Sequence, residues 1–327
     1  MKHSRRHMLR TAGVVGLAAV LPRQLLADVY PSSPIHIIVP YPPGGIADIA
    51  ARLVGNKLAE TLGQAVVIDN KPGGSGFIGV VAAARAPANG YTLVVGTPGD
   101  FTINPAWFKK LPYDVEKDLT PIAMLSDTPL VLVAHGGSPY KSVQDVLKAA
   151  KAQPEGLQIS ASGVGTLGHL SVEQFARAAC VKLSHIPFSG AAPAATAVAA
   201  GQVPLGLLAI PTITPFIETG QLRVLAVATE KRTKFNPDWP TLQEAGGPPL
   251  NASNWTGMFA PNGLPDAIIR TLSDQIQKIL VMDEIRERFG KGGSVTTPMS
   301  ISDFDSRVKM ETENYRKIVK ESGFGAE

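Results

Sequence analysis

Cysteine is almost missing: Cys180 is the only one in 327 residues. That excludes a disulfide within the chain and a thiolate metal cluster. In FARAACVKL the residue reads as a small buried hydrophobe. Aromatic residues are scarce, at 6%, and Trp107, Trp239 and Trp255 read as core or hinge residues rather than a stacking platform. The body also lacks a surplus of positive charge. The formal net charge is +4, yet Lys2, Arg5, Arg6, Arg10 and Arg23 all fall within residues 1–27, which hold no acid. Without those five, the 31 Lys and Arg fall to 26, against 27 Asp and Glu. No basic face for nucleic acid or anionic lipid is expected. Beyond residue 27 no apolar run approaches the roughly 18 residues of a membrane-spanning helix. Also absent are His-Glu-x-x-His, Gly-x-Ser-x-Gly and any cluster of His and acids at metal spacing. No catalytic residue, metal or cofactor is expected on these grounds.

Small and rigid residues are plentiful, with 32 Gly and 27 Pro, as is apolar content for a core, at 44%. Residues 1–27 run from SRRHMLR through the short apolar TAGVVGLAAVLP to LLA. A basic start, apolar middle and small-residue exit predict an export signal cleaved after about Ala27. The paired arginines resemble the twin-arginine type. An exported, soluble mature protein is the expectation. In the body, IHIIVPY, AVVIDN and GYTLVVGT read as strands. The helices between them are predicted to begin at Ile46 and within VVAAARA. Units of about 30 residues imply a parallel sheet with crossover helices. Between about 126 and 228, PLVLVAH, LQISAS, KLSHIPF, VPLGLLAI and LRVLAVAT repeat that logic. Two amphipathic helices close the chain. The first carries Ile268, Ile269, Leu272, Ile276, Ile279 and Leu280 and ends at Gly290, and the second runs from about Ser302 to Ser322. Two α/β lobes with a cleft between them are predicted.

Three Gly-rich turns, PPGGIAD, KPGGSGFIG and GVGTLG, each follow a strand and open a helix. Helix starts leave N–H groups unpaired and carry partial positive charge. Glycine lets an anion approach them and proline stiffens the entry. PPGGIAD therefore reads as a rigid anion cradle, with Asp48 capping N–H groups or orienting a ligand through water. GVGTLG (Gly163, Gly165, Gly168) matches the dinucleotide fingerprint. However, the acid expected about 20 residues later is missing from LSHIPFSG. An exported NAD(P)- or flavin-dependent oxidoreductase using this turn stays open as the alternative reading. His169, at the start of the helix after GVGTLG, reads as a packing or capping residue rather than a base.

The order of PIHIIVPYPPGGIADIAARLV, VVIDNKPGGSGFIG, NGYTLVVGT, LPYDVEKDLTPIAML, ASGVGTLGHL, HIPFSGAAPA, GQLRVLAVAT, PTLQEAG and NWTGMFAPNGLP resembles the Bug (TctC-like) solute receptors of tripartite tricarboxylate transporters. The resemblance covers essentially the whole mature chain. It implies an α/β periplasmic-binding-protein type II (Venus-flytrap) fold, each lobe a mostly parallel sheet flanked by helices. Lobe 1 would be 28–125 plus 229–327 and lobe 2 would be 126–228. It implies a periplasmic, monomeric receptor that is not an enzyme, holds no cofactor, and hands a small organic acid to the membrane permease subunits. A signalling partner in place of the permease, with the receptor acting as a sensor, stays open. Carried over residue by residue, the first ligand-binding loop is Tyr41, Gly44, Gly45, Ile46, Ala47 and Asp48. Thr97 and Pro98 complete its wall. The second loop is Ser162, Gly163, Gly165 and Thr166, with His169 beside it. Three departures bear on the ligand. Ala47 replaces a Ser or Thr, Phe188 and Ser189 replace Tyr-Lys, and apolar Leu207 to Ile210 replaces a more polar strand end. With Phe188 and Ile210 on the pocket wall, a carboxylate with an aromatic or apolar body is expected over citrate-like acids.

Overall fold

The computed structural model describes residues 30–322, so the export signal lies outside the described residues. β1 (Ile35–Val39) pairs in parallel with β2 (Val66–Asn70) and β3 (Thr92–Gly96). α1 (Ile46–Leu62) and α2 (Phe77–Ala84) are the crossovers. Gly63 ends α1 in the left-handed region and returns its N–H to Ala59 O. A single π turn, Gly99–Ile103, runs into α3 (Asn104–Trp107). Asp114 then caps α4 (Val115–Asp118).

β4 (Leu119–His135) has 17 residues. The sequence suggests a break before PLVLVAH, but the chain stays extended through both Pro121 and Pro129. Register shifts between Pro121 and Ala123 and between Met124 and Ser126 absorb the irregularity. This strand joins the two halves of the molecule. Its residues 119–129 pair antiparallel with β9 (Ser253–Pro261), beside β3. Its residues 130–135 pair antiparallel with β7 (Leu205–Ala209) and β8 (Leu222–Val227). β5 (Leu157–Ser162) lies parallel between β7 and β6 (Leu183–Phe188). The main path is β2-β1-β3-β9-β4-β7-β5-β6, and the short β10 (Val295–Thr296) pairs with β4. Each half is thus mixed where it meets β4 and parallel beyond it.

Helices α5 (Val143–Ala152), α6 (Leu167–Ala178), α7 (Ala191–Ala199) and α8 (Ile210–Glu218) cover the second half. Ser142 caps α5 by accepting the Asp145 N–H. Side-chain alternation divides the packing. Leu130, Leu132, Leu205 and Leu207 face one apolar cluster with Phe175 and Leu242, while Val131, Val133, Leu208 and Ile210 face another with Val198 and Ile213. Residues 239–250, which the sequence assigns to lobe 1, pack on the second half. Leu242 and Leu250 join its cluster, and the Leu242 N–H bonds Val227 O. At the junction, Leu130, Ala228 and Ala252 close a ring of three backbone hydrogen bonds of 2.7–3.0 Å.

Two further expectations need correcting. The penultimate amphipathic segment is two helices, α9 (Asp266–Leu280) and α10 (Asp283–Lys291), followed by α11 (Ile301–Ser322). The break falls where Met282 turns extended and Asp283 and Glu284 start a new helix dipole. Cys180 is exposed, not buried. It occupies the left-handed position (φ 52°) that ends α6, with Cys180 N–H on Arg177 O and Val181 N–H on Ala176 O. Glycine usually fills that position. Cys180→Gly is expected to stabilise the fold by about 1 kcal/mol, because a Cβ is disfavoured there. A urea titration checks this, and a destabilised variant would contradict it.

Candidate functional site

The first turn leaves β1 through Tyr41, Pro42 and Pro43. Gly44 is left-handed (φ 85°), and Gly45 is extended and caps α1 without a side-chain bond. Asp48 is buried in the first helical turn and works inward. It accepts the Gly44 N–H at 2.9 Å, Asn70 Nδ2 at 3.0 Å and both Arg52 nitrogens at 2.9 and 3.1 Å. Burial pushes its carboxyl up, but Arg52, the Gly44 N–H and Asn70 outweigh that and hold it below the usual range. Gly44 therefore spends its donor on Asp48. The N–H groups of Ile46 and Ala47, in the first turn of α1, have no helical partner. Asn70, at the end of β2, also holds Tyr41 O at 3.0 Å. Sequence reasoning missed it, although the Asp-Asn pair ending AVVIDN marked a polar strand end.

Below this turn sits Asp100, a residue with no assigned role at the sequence level. It is fully buried within the π turn. Its Oδ2 accepts Thr97 N–H at 2.8 Å and Thr97 Oγ1 at 3.1 Å, and its Oδ1 accepts Tyr41 Oη at 3.1 Å. Burial pushes its carboxyl up to about 7, against the bonds from Thr97 and Tyr41 that favour the anion. Tyr41 is driven well above its ordinary value by burial first and by Asp100 second. The KPGGSG turn closes on this carboxylate from outside. A Cβ on Gly76 (φ 91°) would lie 2.1 Å from Asp100 Oδ1. Of the three Gly-rich turns, this one packs against an internal acid and is no open anion cradle. The legible signal was an acid inside the apolar stretch GTPGDFTI.

The second turn follows β5. Ser162 O is held by His185 Nε2 at 3.1 Å, Gly165 is left-handed (φ 76°), and Thr166 caps α6 by accepting the His169 N–H at 3.3 Å. Thr166 Oγ1 donates to Gly163 O at 2.8 Å. The His169 ring stacks on His185 at 4.3 Å and lies tilted against Trp107 at 4.8 Å, centroid to centroid. Its Nδ1 accepts the Gly165 N–H over a long 3.4 Å. Burial, and then His185, lower it to about 4, so it is neutral at pH 7. His169 packs and caps, as the sequence suggests, and Trp107 is a buried core residue whose ring lies tilted against it. Gly168 lets α6 lie close on Ala161, where a Cβ would meet its methyl at 3.2 Å.

The two turns face each other across the contact between the halves. A Cβ on Gly99 would lie 3.3 Å from Tyr41 Oη and 3.4 Å from Thr166 Cα, and one on Gly165 would lie 2.5 Å from Asn104 Oδ1. Gly44 and Pro42 similarly approach Ala192 and Gly190 at the start of α7. Asn104 Nδ2 donates to Ser75 O at 3.0 Å, while its buried Oδ1 has no partner among the described residues. The structure thus brings together Tyr41, Gly44–Asp48, Thr97, Pro98 and Ser162–Thr166. Phe188 and Ile210 pack in the cluster on the other face of the second sheet from Ile46, Trp107 and Leu167. Ile210 there meets Gly293. Two open grooves of about 610 and 750 Å³ lie elsewhere, beside α11. They lack convergent helix starts, so the candidate site is the pair of facing turns.

Among the described residues, no group of three His, Cys, Asp or Glu is placed to hold a metal ion, and no helix is long and apolar enough to cross a membrane. Residues 50–324 match the family described as the tripartite tricarboxylate transporter family receptor, TctC. BugT of Bordetella pertussis is 32% identical over 324 residues, covering 97% of this chain and 98% of that protein. An R. palustris protein solved with adipate is 33% identical with a TM-score of 0.87, over 90% of this chain and 99% of its own. MatC from Rhodopseudomonas palustris, solved with bound malate, is 30% identical with a TM-score of 0.83, over 89% and 100%.

Proposed function

The chain belongs to the tripartite tricarboxylate transporter receptor family, and on that premise we propose that it captures a small organic carboxylate between its two facing turns and delivers it to a membrane permease. Periplasmic solute-binding receptor is its class; the family and its structural neighbours are solute-binding proteins, not enzymes. The oxidoreductase alternative built on GVGTLG therefore falls. The observation that carries the carboxylate reading is the approach of the turns that open α1 and α6, one from each half, with Gly99 of the π turn lying against both Tyr41 Oη and Thr166 Cα. Each start offers N–H groups without helical partners and the positive end of a dipole. Bonds to a charged group contribute about 1.5–3 kcal/mol each. Four or five, less the cost of ordering the lobes, match the ~8 kcal/mol of a micromolar complex.

Lobe 1 would run from the mature N-terminus into β4 and resume in the C-terminal segment, and lobe 2 would begin inside β4. The handover of β4 partners at Pro129 and Leu130, and the packing of 239–250 on lobe 2, favour hinge points near Leu130, Ala228 and Ala252. An apolar-bodied acid is favoured by the Trp107, His169 and His185 rings packed together behind the second turn. The adipate held by a relative has such a body.

A thermal-shift screen of residues 28–327 tests this with adipate, malate, aromatic monoacids and the matching amides. An acid at 100 times its dissociation constant is expected to add about 2.7 kcal/mol of stability, with no shift from its amide. Equal shifts from acid and amide, or none from any acid, would remove the carboxylate reading. Malate binding far more tightly than adipate would remove the preference for an apolar body.

A further inference from the structure

Asp100 is a buried acid in an uncharged nest. Among the described residues no Lys, Arg or His lies within ion-pair distance of it. Its two oxygens are not equivalent. Oδ2 faces the Thr97 N–H, an obligate donor, and must accept. Oδ1 faces Tyr41 Oη, which can donate or accept. Tyr41 Oη in turn lies beside Gly99, where Thr166 of the other half closes the contact.

We propose that Asp100 is a positioning residue that couples carboxylate capture to uptake of one proton, by setting which way the Tyr41 hydroxyl points. When Asp100 is ionised, Tyr41 O–H donates inward to Oδ1 and presents lone pairs to the cleft, which repel a carboxylate. When Oδ1 takes a proton from water, it donates to Tyr41 Oη. The Tyr41 hydrogen is then free to donate outward. Thr97 Oγ1, 3.4 Å from Tyr41 Oη, belongs to the same chain of hydroxyls. This rests on the carboxylate reading above.

The groups facing Asp100 leave it as the one that titrates near neutrality. Tyr41, and Tyr113 from the loop before α4, which donates to Asp100 O at 2.6 Å, are both pushed upward by burial and by Asp100. β3 ends in Gly96, and the turn before α2 presents Gly76. α11, packed on the π turn, brings Arg307 and Glu311, paired at 2.8 Å. Asp48 and Arg52 reach Tyr41 only through Asn70 on its carbonyl. His169 lies beyond Thr166 and is neutral. Burial places Asp100 about 7. The proton is therefore present below that pH, and affinity for an anion is lost as pH rises through it.

Calorimetry with adipate at pH 6 and pH 8, in two buffers of different ionisation enthalpy, tests the coupling. The wild-type affinity is expected to fall about tenfold, with close to one proton taken up at pH 8. Asp100→Asn, whose amide donates to Tyr41 permanently, should hold its pH 6 affinity at both pH values. Tyr41→Phe should lose the pH dependence while Asp100 still titrates. A flat wild-type profile, or one unchanged in Asp100→Asn, overturns the proposal. If adipate binds no variant, the carboxylate reading fails for this diacid, and the ligand-free protein decides the switch. An infrared carboxylic-acid band present at pH 6, lost at pH 8, absent from Asp100→Asn and shifted in Tyr41→Phe upholds it. The absence of that band overturns it.

Discussion

Gly165→Ala is expected to weaken capture of the carboxylate found in the thermal-shift screen by at least about 100-fold while leaving the protein folded. A new Cβ would sit 2.5 Å from Asn104 Oδ1 and 2.8 Å from the Phe108 ring. Asn104 cannot swing aside, because its Nδ2 is held by Ser75 O at 3.0 Å. The turn bearing Thr166 then stands off from the first lobe, and the ligand loses the donors of one side. Losing two charge-assisted bonds removes about 3–6 kcal/mol, or two to four decades of affinity. Left-handed strain also costs roughly 1–2 kcal/mol, but this acts on stability. Gly63→Ala separates the two effects. Gly63 is also left-handed (φ 65°) and has nothing within 4 Å of a Cβ, so it should lose stability and keep full affinity. Calorimetry reads the affinity, and small-angle scattering reads whether the ligand still compacts the protein. Wild-type affinity in Gly165→Ala would show that the contact between the turns is no part of the bound state.

Gly76→Ala is expected to lose about 2–5 kcal/mol of folding stability. The Cβ would lie 2.1 Å from Asp100 Oδ1. Overpacking costs about 1–3 kcal/mol and the left-handed backbone roughly 1–2 more. Urea denaturation measures the loss. Asp100→Ala clears the space, so the double variant should be less destabilised than the sum of the single variants. Simple additivity would mean that Gly76 and Asp100 do not press on each other, and Gly76→Ala within 1 kcal/mol of wild type would mean that the turn yields.

Much of this was legible along the chain. Pro42, Pro43, Gly44 and Gly45 between a β-branched run and helical spacing announced the first turn, and GVGTLG announced the second. What the sequence hid is how donors are spent. Gly44 looked like an anion donor, but Asp48 four residues on takes its N–H. KPGGSG looked like a third cradle, but its partner is Asp100, 24 residues away in sequence from Gly76. Cys180 looked buried by composition, yet the end of α6 required a left-handed residue, and this one points outward. PLVLVAH looked like a strand of its own, yet pairing with β9 and β7 makes it the end of the 17-residue β4.

The sequence by itself determined the α/β fold class of the protein. Apolar periodicity and glycine at strand ends are local properties, and they require two α/β units with helix starts at the ends of their strands. The absence of charge clusters and reactive motifs is likewise readable without coordinates. Only the tertiary structure decided which polar groups meet. Asp100 reaches Tyr41 and Gly76, Asn104 reaches Gly165, and Gly99 reaches Thr166 through contacts that join distant segments. A hydrogen bond acts over about 3 Å, and no pattern along the chain specifies a distance that short between residues so far apart.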